Sequence, residues 1–423
     1  MRIPSVSAQG HDPARVQESA RETADWLQQA GLSGVRLLQV PGAHPAVYGR
    51  SDGPAGAPTV LLYAHHDVQP AGPAELWHSA PFEPTERGGR LFGRGTADDK
   101  AGIAAHAAAL QVWDGQPPVS VAVFVEGEEE IASRHFPDFM SRYADLLRAD
   151  VIVLADFANW GVGRPALTTS LRGILDVVVA VRVLDHAVHS GAYGGPIPDA
   201  LTVLCRLIAT LHDRRGNVAV PGLASGPFRA IELSSAQLRA SAGLRPGVSL
   251  LGTGPLANRL WSRPAVSVLG IDAPPTLAAA HRLVPAAQAM ISIRLAPGDE
   301  PKRAMTAITE HLRAGNRWGA EITVTSANEG APHLIDATGP AFEAFRRAAR
   351  QAWGCPPVEP GSGGSLPLVA ALAHAQPKAQ LLLTGVCDPD SMAHSENESV
   401  HLADLRSCCE AEAALLGHLA ALA

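Results

Sequence analysis

Thr59-Val60-Leu61-Leu62-Tyr63-Ala64-His65-His66-Asp67-Val68-Gln69-Pro70 passes from a β-branched and aliphatic run directly into imidazoles and a carboxylate. The apolar part, Thr59 to Tyr63, is short, as a strand buried on both faces should be. Val119 to Val125 and Val151 to Leu154 have the same character, and Gly102 to Trp113 reads as a helix between the first two runs. Upstream, Asp12-Pro13 supplies an N-cap and a proline at the first helical position for a helix that runs to about Ala30 and stops at Gly31. Strands alternating with helices predict an α/β domain with a mostly parallel central sheet flanked by helices.

A second pattern begins near Gly173. It contains a long strand Ile174 to Leu184, a helix Pro198 to His212, a strand Gln288 to Leu295, a helix Pro301 to Ala314 and a strand Glu321 to Ser326. Two helices among a few strands suit a small α+β sandwich. After about Gly330 the first style returns, with a helix Gly339 to Trp353, a strand Gln380 to Thr384 and a terminal helix from about Val400. The expected organisation is therefore one α/β domain built from residues 1–172 and 331–423, interrupted by an inserted α+β domain at 173–330.

Composition narrows the function classes. The 423 residues carry 34 Lys+Arg against 41 Asp+Glu, a net charge of −7, with no basic run to hold nucleic acid or an anionic membrane. No apolar stretch approaches about 18 residues and Met1-Arg2-Ile3-Pro4 opens no signal peptide, so a cytoplasmic protein is expected. Cys205, Cys355, Cys387, Cys408 and Cys409 show no C-x-x-C spacing, which argues against a disulfide framework or a thiolate zinc site.

The polar residues with most chemical content follow the predicted strands, where an open α/β sheet presents its ligand crevice. Asp67 lies two residues after His65, on the same side of an extended segment, so it can orient a metal-bound imidazole or simply make a local hydrogen bond. Gly93-Arg94-Gly95-Thr96-Ala97-Asp98-Asp99-Lys100-Ala101-Gly102 lacks phosphate-loop spacing; Asp98 or Asp99 can be a ligand or a helix N-cap. Glu126-Gly127-Glu128-Glu129-Glu130 crowds carboxylates at one strand end, either as a solvated acidic turn or as a group that needs cations. Asp156 ends another strand, and His394, in Met392-Ala393-His394-Ser395-Glu396, is uninformative alone. Together, His65, Asp98, Glu130, Asp156 and His394 form a thiolate-free nitrogen and oxygen set that suits paired divalent zinc or manganese in a hydrolase.

At these motifs, in order from Ile3-Pro4-Ser5-Val6-Ser7 to the terminal helix, the sequence resembles the co-catalytic zinc peptidases that include aminoacylases, carboxypeptidase G and carnosinase-type dipeptidases. The resemblance implies two divalent ions per subunit, zinc first and manganese or cobalt as substitutes. His65 and Asp156 would hold one and Glu130 and His394 the other, with Asp98 bridging. It further implies Glu129 as general base to a hydroxide formed between the ions, Asp67 orienting His65, and a cis peptide at Asp98-Asp99. The insertion would be a lid and dimerisation domain, making a homodimer in which His189 reaches the neighbouring subunit's site. Arg294, with Gly364 and Ser365, would bind the free carboxylate of a small peptide substrate. On physical grounds alone, Arg294 also fits a surface ion pair, and His189 an exposed turn.

Asp67-Val68-Gln69-Pro70, Asp156 and Gly363-Gly364-Ser365-Leu366-Pro367 resemble the dipeptidase branch. His66, Ala132 and Ala187-Val188 depart from the usual Tyr, Gly and Asp-Leu, and relatives usually carry a further helix upstream of Ile3. None of these removes a ligand, though they bear on which side chain the pocket accepts. An N-acyl-amino-acid deacylase and a non-catalytic peptide-binding homologue are the competing readings.

Overall fold

The computed structural model describes residues 1–228, 231–364 and 366–422. In chain order the principal strands are β1 (Ser33–Leu38), β2 (Ala46–Ser51), β3 (Thr59–His65), β4 (Ser120–Glu126), β5 (Val151–Ala158), β6 (Leu167–Thr168), β7 (Gly173–Arg182), β8 (Ala265–Asp272), β9 (Ala286–Leu295), β10 (Glu321–Gly330) and β11 (Gln380–Cys387). The principal helices are α1 (Pro13–Gln29), α2 (Lys100–Val112), α3 (Ala200–Ala209), α4 (Pro301–Gly315), α5 (Pro340–Trp353) and α6 (Leu402–Ala420). The chain divides into two compact units, Met1–Thr169 with Ile335–Pro360 and Pro367–Ala423, and Ser170–Leu334 with Gly361–Leu366.

The first unit is built on a sheet in the order β1-β2-β4-β3-β5-β11-β6. Its centre, β4-β3-β5-β11, is parallel and its flanks are antiparallel. Leu61, Leu62, Tyr63, Phe124, Ile152 and Leu154 are almost wholly buried. Full burial of each such side chain contributes roughly 1.5–3 kcal/mol. The first helix starts where the sequence indicates, with the Asp12 side chain accepting from Ala14 N–H and a proline in its first turn.

The second unit carries a four-stranded antiparallel sheet, β8-β9-β7-β10. Alternation in β7 sends Leu175, Val177, Val179 and Val181 into a core with Ile291, Ile293 and Leu295 of β9, Leu204 and Leu207 of α3, and Ile308 and Leu312 of α4. Ile174, Asp176 and Arg294 alternate with these and belong to the opposite face. Strand β8 is absent from the sequence reading. Its residues are mostly exposed, and Ser267 and Gly270 interrupt its apolar residues, so it lacks the continuous run of a buried strand.

Candidate metal centre

The first unit gathers seven of the residues singled out above at the carboxyl ends of its parallel strands. His65 is the last residue of β3, Asp156 lies near the end of β5, and Glu129 and Glu130 follow β4 in a short 3-10 turn. Asp98 precedes α2 across a cis Asp98-Asp99 peptide. His394 stands on the loop after β11, where Met392, His394 and Asn397 all adopt positive φ. Left-handed backbone at a non-glycine residue costs on the order of 1–3 kcal/mol and needs surrounding contacts to hold it. Asn397 supplies some of these, accepting from His78 N–H and donating to Leu76 O.

Asp98 faces two ways. Its Oδ1 is 3.0 Å from His65 Nε2 and its Oδ2 is 2.9 Å from His394 Nε2. Asp156 Oδ1 stands 3.7 Å and Glu129 Oε2 3.9 Å from the same His65 nitrogen, and Glu130 Oε2 lies 3.2 Å from His394 Nε2. Asp98, Glu130 and His394 thus present ligand atoms within 4.8 Å of one another, as do His65, Asp99 and Asp156. Asp99 is nevertheless the weaker donor of the second group. Its oxygens accept from His65 N–H at 3.3 Å and from Gly102 N–H at 3.2 Å, which makes it the N-cap of α2.

Asp67 does more than stand behind His65. The ring Nδ1 is 3.1 Å from Asp67 main-chain O and 3.4 Å from its Oδ1. The carboxylate itself accepts from Ser7 Oγ at 2.6 Å and from the backbone N–H groups of Glu129 and Glu130. It therefore positions the imidazole and the acidic turn together. Gln69 donates its backbone N–H to Glu130 Oε1 and its side-chain amide to Oε2, at 2.9 and 2.8 Å. Glu398 accepts from the backbone of Gly95, Ala97 and Asp98 and pairs with buried Arg94 at 2.7 Å. Arg94 in turn donates to Pro70 O and Ser395 O, so one ion pair ties together three of the loops that carry the site. Gln69 and Arg94 lie inside stretches quoted above and Glu398 two residues beyond another, but their sequence context alone gives them no role; it is their partners that do.

Burial dominates the electrostatics. It pushes Glu129 well above the usual carboxylate range and Asp156 up to about 6, with neighbouring carboxylates adding to both. Asp98 is held below that range because bonds to His394 and His65 outweigh its burial. His394 is raised to about 10 by Asp98 and Glu130. Burial alone would lower His65, but Asp156, Asp67 and Asp98 raise it well above its ordinary value. Acids packed this closely around two imidazoles, one acid offering an oxygen to each, have the donor chemistry of a paired divalent-cation site. His66 beside them is different. Buried, with Nε2 donating to Pro45 O, it is lowered to about 4 and stays neutral.

Three other predicted residues, His189, Arg294 and Gly364, belong to the second unit. His189 is exposed, and its Nδ1 accepts from Gly191 N–H. Arg294 is half-buried on β9, Gly364 is exposed with its N–H donating to Ser362 Oγ, and Ser365 lies outside the described residues.

A cysteinylglycine-S-conjugate dipeptidase from Corynebacterium striatum is 33% identical over 412 residues, spanning 94% of this chain and 90% of that protein. Among solved structures, human carnosine dipeptidase 1 matches with a TM-score of 0.78 at 25% identity, over 99% of this chain and 94% of that one. The dipeptidase Dug1p from Saccharomyces cerevisiae matches in fold with a TM-score of 0.79 at 23% identity, over the same shares of the two chains. Residues 61–418 match the sequence model of peptidase family M20/M25/M40. By that match and by the identity to the Corynebacterium enzyme, the chain belongs to the M20/M25/M40 family of peptidases.

Proposed function

We propose that this protein is a metal-dependent dipeptidase, hydrolysing the amide bond of dipeptides or short peptides that end in a free carboxylate. The observation that carries the reading is Asp98, whose two oxygens face His65 and His394 at 3.0 and 2.9 Å with Asp156 and Glu130 alongside. His65 and Asp156 would hold one divalent ion, Glu130 and His394 the other, and Asp98 both; zinc suits this donor set, and manganese or cobalt could replace it. Such ions, when bound, polarise a carbonyl and acidify water.

The chain's own residues then handle the proton. Glu129 Oε2 sits 3.9 Å from His65 Nε2, and burial raises the proton affinity of the carboxyl group. It is thus suited to take a proton from the attacking water and return it to the leaving amine. Asp67 and Ser7 keep the Glu129 backbone in place. Arg294, with Gly364 and Ser365, binds the substrate carboxylate, which limits the enzyme to chain ends. His189 is assigned to the site of a second copy in a homodimer formed through the inserted unit. Edge strand β8 supports such a contact, since it leaves Leu269 and Ile271 exposed at 62% and 43%.

The deacylase reading uses the same centre but needs no pocket for a free amino terminus. Hydrolysis of a dipeptide panel, compared with N-acetyl and N-succinyl amino acids with zinc, manganese and cobalt supplied separately, tests the proposal. Faster turnover of dipeptides is the expected result; faster release of acyl groups would overturn it. Fewer than about one divalent ion per chain after gentle purification would favour the non-catalytic reading.

A further inference from the structure

Arg172, between the short strand Ser170–Leu171 and β7, is 9% exposed. Its Nε and Nη1 are buried with no hydrogen-bond partner among the described residues. The residue two places on, Ile174, is the cross-strand partner of Arg294, so the two guanidinium groups belong to one end of one sheet face. Among the described residues neither arginine forms an ion pair. Asp176, on the same face, receives Asn328 Nδ2 on its Oδ2 and pairs with neither. Burial, with Arg294 adding repulsion, lowers the Arg172 pKa to about 10. The segment Gly361–Gly364 lies against this side chain. Arg172 N–H donates to Ser362 O at 3.1 Å, and a Cβ on Gly363 would come within 3.1 Å of Arg172 Nη2.

Two neighbouring cations, one of them buried and unpaired, are costly in a folded chain, and native proteins neutralise or hydrogen-bond such groups. A guanidinium kept in this state is matched to an anion from outside the chain, and its planar donors suit a carboxylate.

We propose that Arg172 joins Arg294 in a two-arginine carboxylate site, making Arg172 a substrate-specificity residue for peptides with a free C-terminus. The proposal rests on the dipeptidase reading for the identity of its ligand. It adds that Arg172 serves binding at the expense of stability, the reverse of a structural role. The Gly361–Gly364 segment forms one wall of the site, and a side chain at position 363 would crowd it.

The test uses the full-length, metal-loaded protein and the variants Arg172→Met and Arg172→Lys. Arg172→Met should keep its metal content and raise KM for a good dipeptide about ten- to a hundredfold, with kcat changed by no more than a few-fold. It should penalise the C-terminally amidated dipeptide far less, and Arg172→Lys should recover part of the loss. In carboxylate-free buffer Arg172→Met should melt at or above the wild-type Tm. Acetate or a free amino acid should raise the Tm of wild type and not of Arg172→Met. A lower Tm with equal loss on free and amidated peptides would overturn the proposal. If wild type hydrolyses no dipeptide, the dipeptidase reading fails, whereas carboxylate stabilisation that depends on Arg172 would still support the site. Absence of that stabilisation overturns the site even in an active dipeptidase.

Discussion

Glu129 and Glu130 are adjacent and chemically alike, yet their surroundings separate them. Glu130 has both oxygens engaged by Gln69 and one of them 3.2 Å from His394, while Glu129 is turned toward His65. Glu129→Gln should therefore keep its metal and lose about 10²–10⁴ in rate, the scale of general-base removal. Glu130→Gln should lose metal, as elemental analysis of the two purified variants would show; equal losses would refute the division. Gln69→Leu removes the side-chain donor that orients Glu130 and should weaken binding of one ion about 10–100-fold, read by competition with a chelator. Asp98 and Asp99 divide in the same manner. The first has its oxygens toward imidazoles, and the second has its oxygens on backbone N–H groups.

The elements that carry the site are held by buried polar pairs. Arg94 and Glu398 are 2% and 0% exposed, so Arg94→Met strands a carboxylate and should cost about 3–5 kcal/mol in urea unfolding. Adding Glu398→Gln should return part of that, and strict additivity of the two changes would show that the pair is not coupled. His106 on α2 links two further elements, with Nδ1 2.7 Å from Glu412 of α6 and Nε2 3.0 Å from Tyr63 O of β3. A carboxylate and a carbonyl on the two ring nitrogens favour the protonated ring. Burial pulls its pKa down but Glu412 more than offsets this, leaving it above 6.5. A pKa raised by folding stabilises the protein below the unfolded value, and that contribution fades as pH rises through the folded one. The stability gap between wild type and His106→Gln should accordingly narrow from pH 6 to pH 9; a gap independent of pH would mean that the ring is neutral throughout.

Across the whole molecule, the proposed second copy makes the sharpest demand. His189 is exposed and far in sequence from every proposed ligand, and a two-fold dimer can deliver it to a partner's site in both directions. Inactive His189→Ala mixed with inactive Glu129→Gln should recover toward about a quarter of wild-type activity. Statistical exchange makes half the dimers mixed, and each mixed dimer has one of its two sites intact. No recovery despite demonstrated exchange, or full activity in a sedimenting monomer, would count against the dimeric site.

What the sequence determined by itself is what short-range physics writes. Asp12-Pro13 and Gly31 bracket a helix because caps are made within a few residues, and the apolar runs of β3, β4 and β5 mark strands buried on both faces. The carboxylates and histidines after those runs were legible as a set because an open parallel sheet gathers its strand ends. Which residue does what was not legible there. Asp98 and Asp99 offer the same chemistry one position apart, and only the fold turns one to the histidines and the other to the start of α2. Strand β8 is not legible because Ser267 and Gly270 break its apolar residues into pieces too short to mark a buried strand, and nothing near residues 361–364 announces that they lie beside Ser170–Arg172. Only the tertiary structure buries Arg172 beside Arg294 with no ion-pair partner among the described residues. Strand pairing and ion pairing join residues more than a hundred positions apart, and their energies depend on burial, which no local stretch of chain contains.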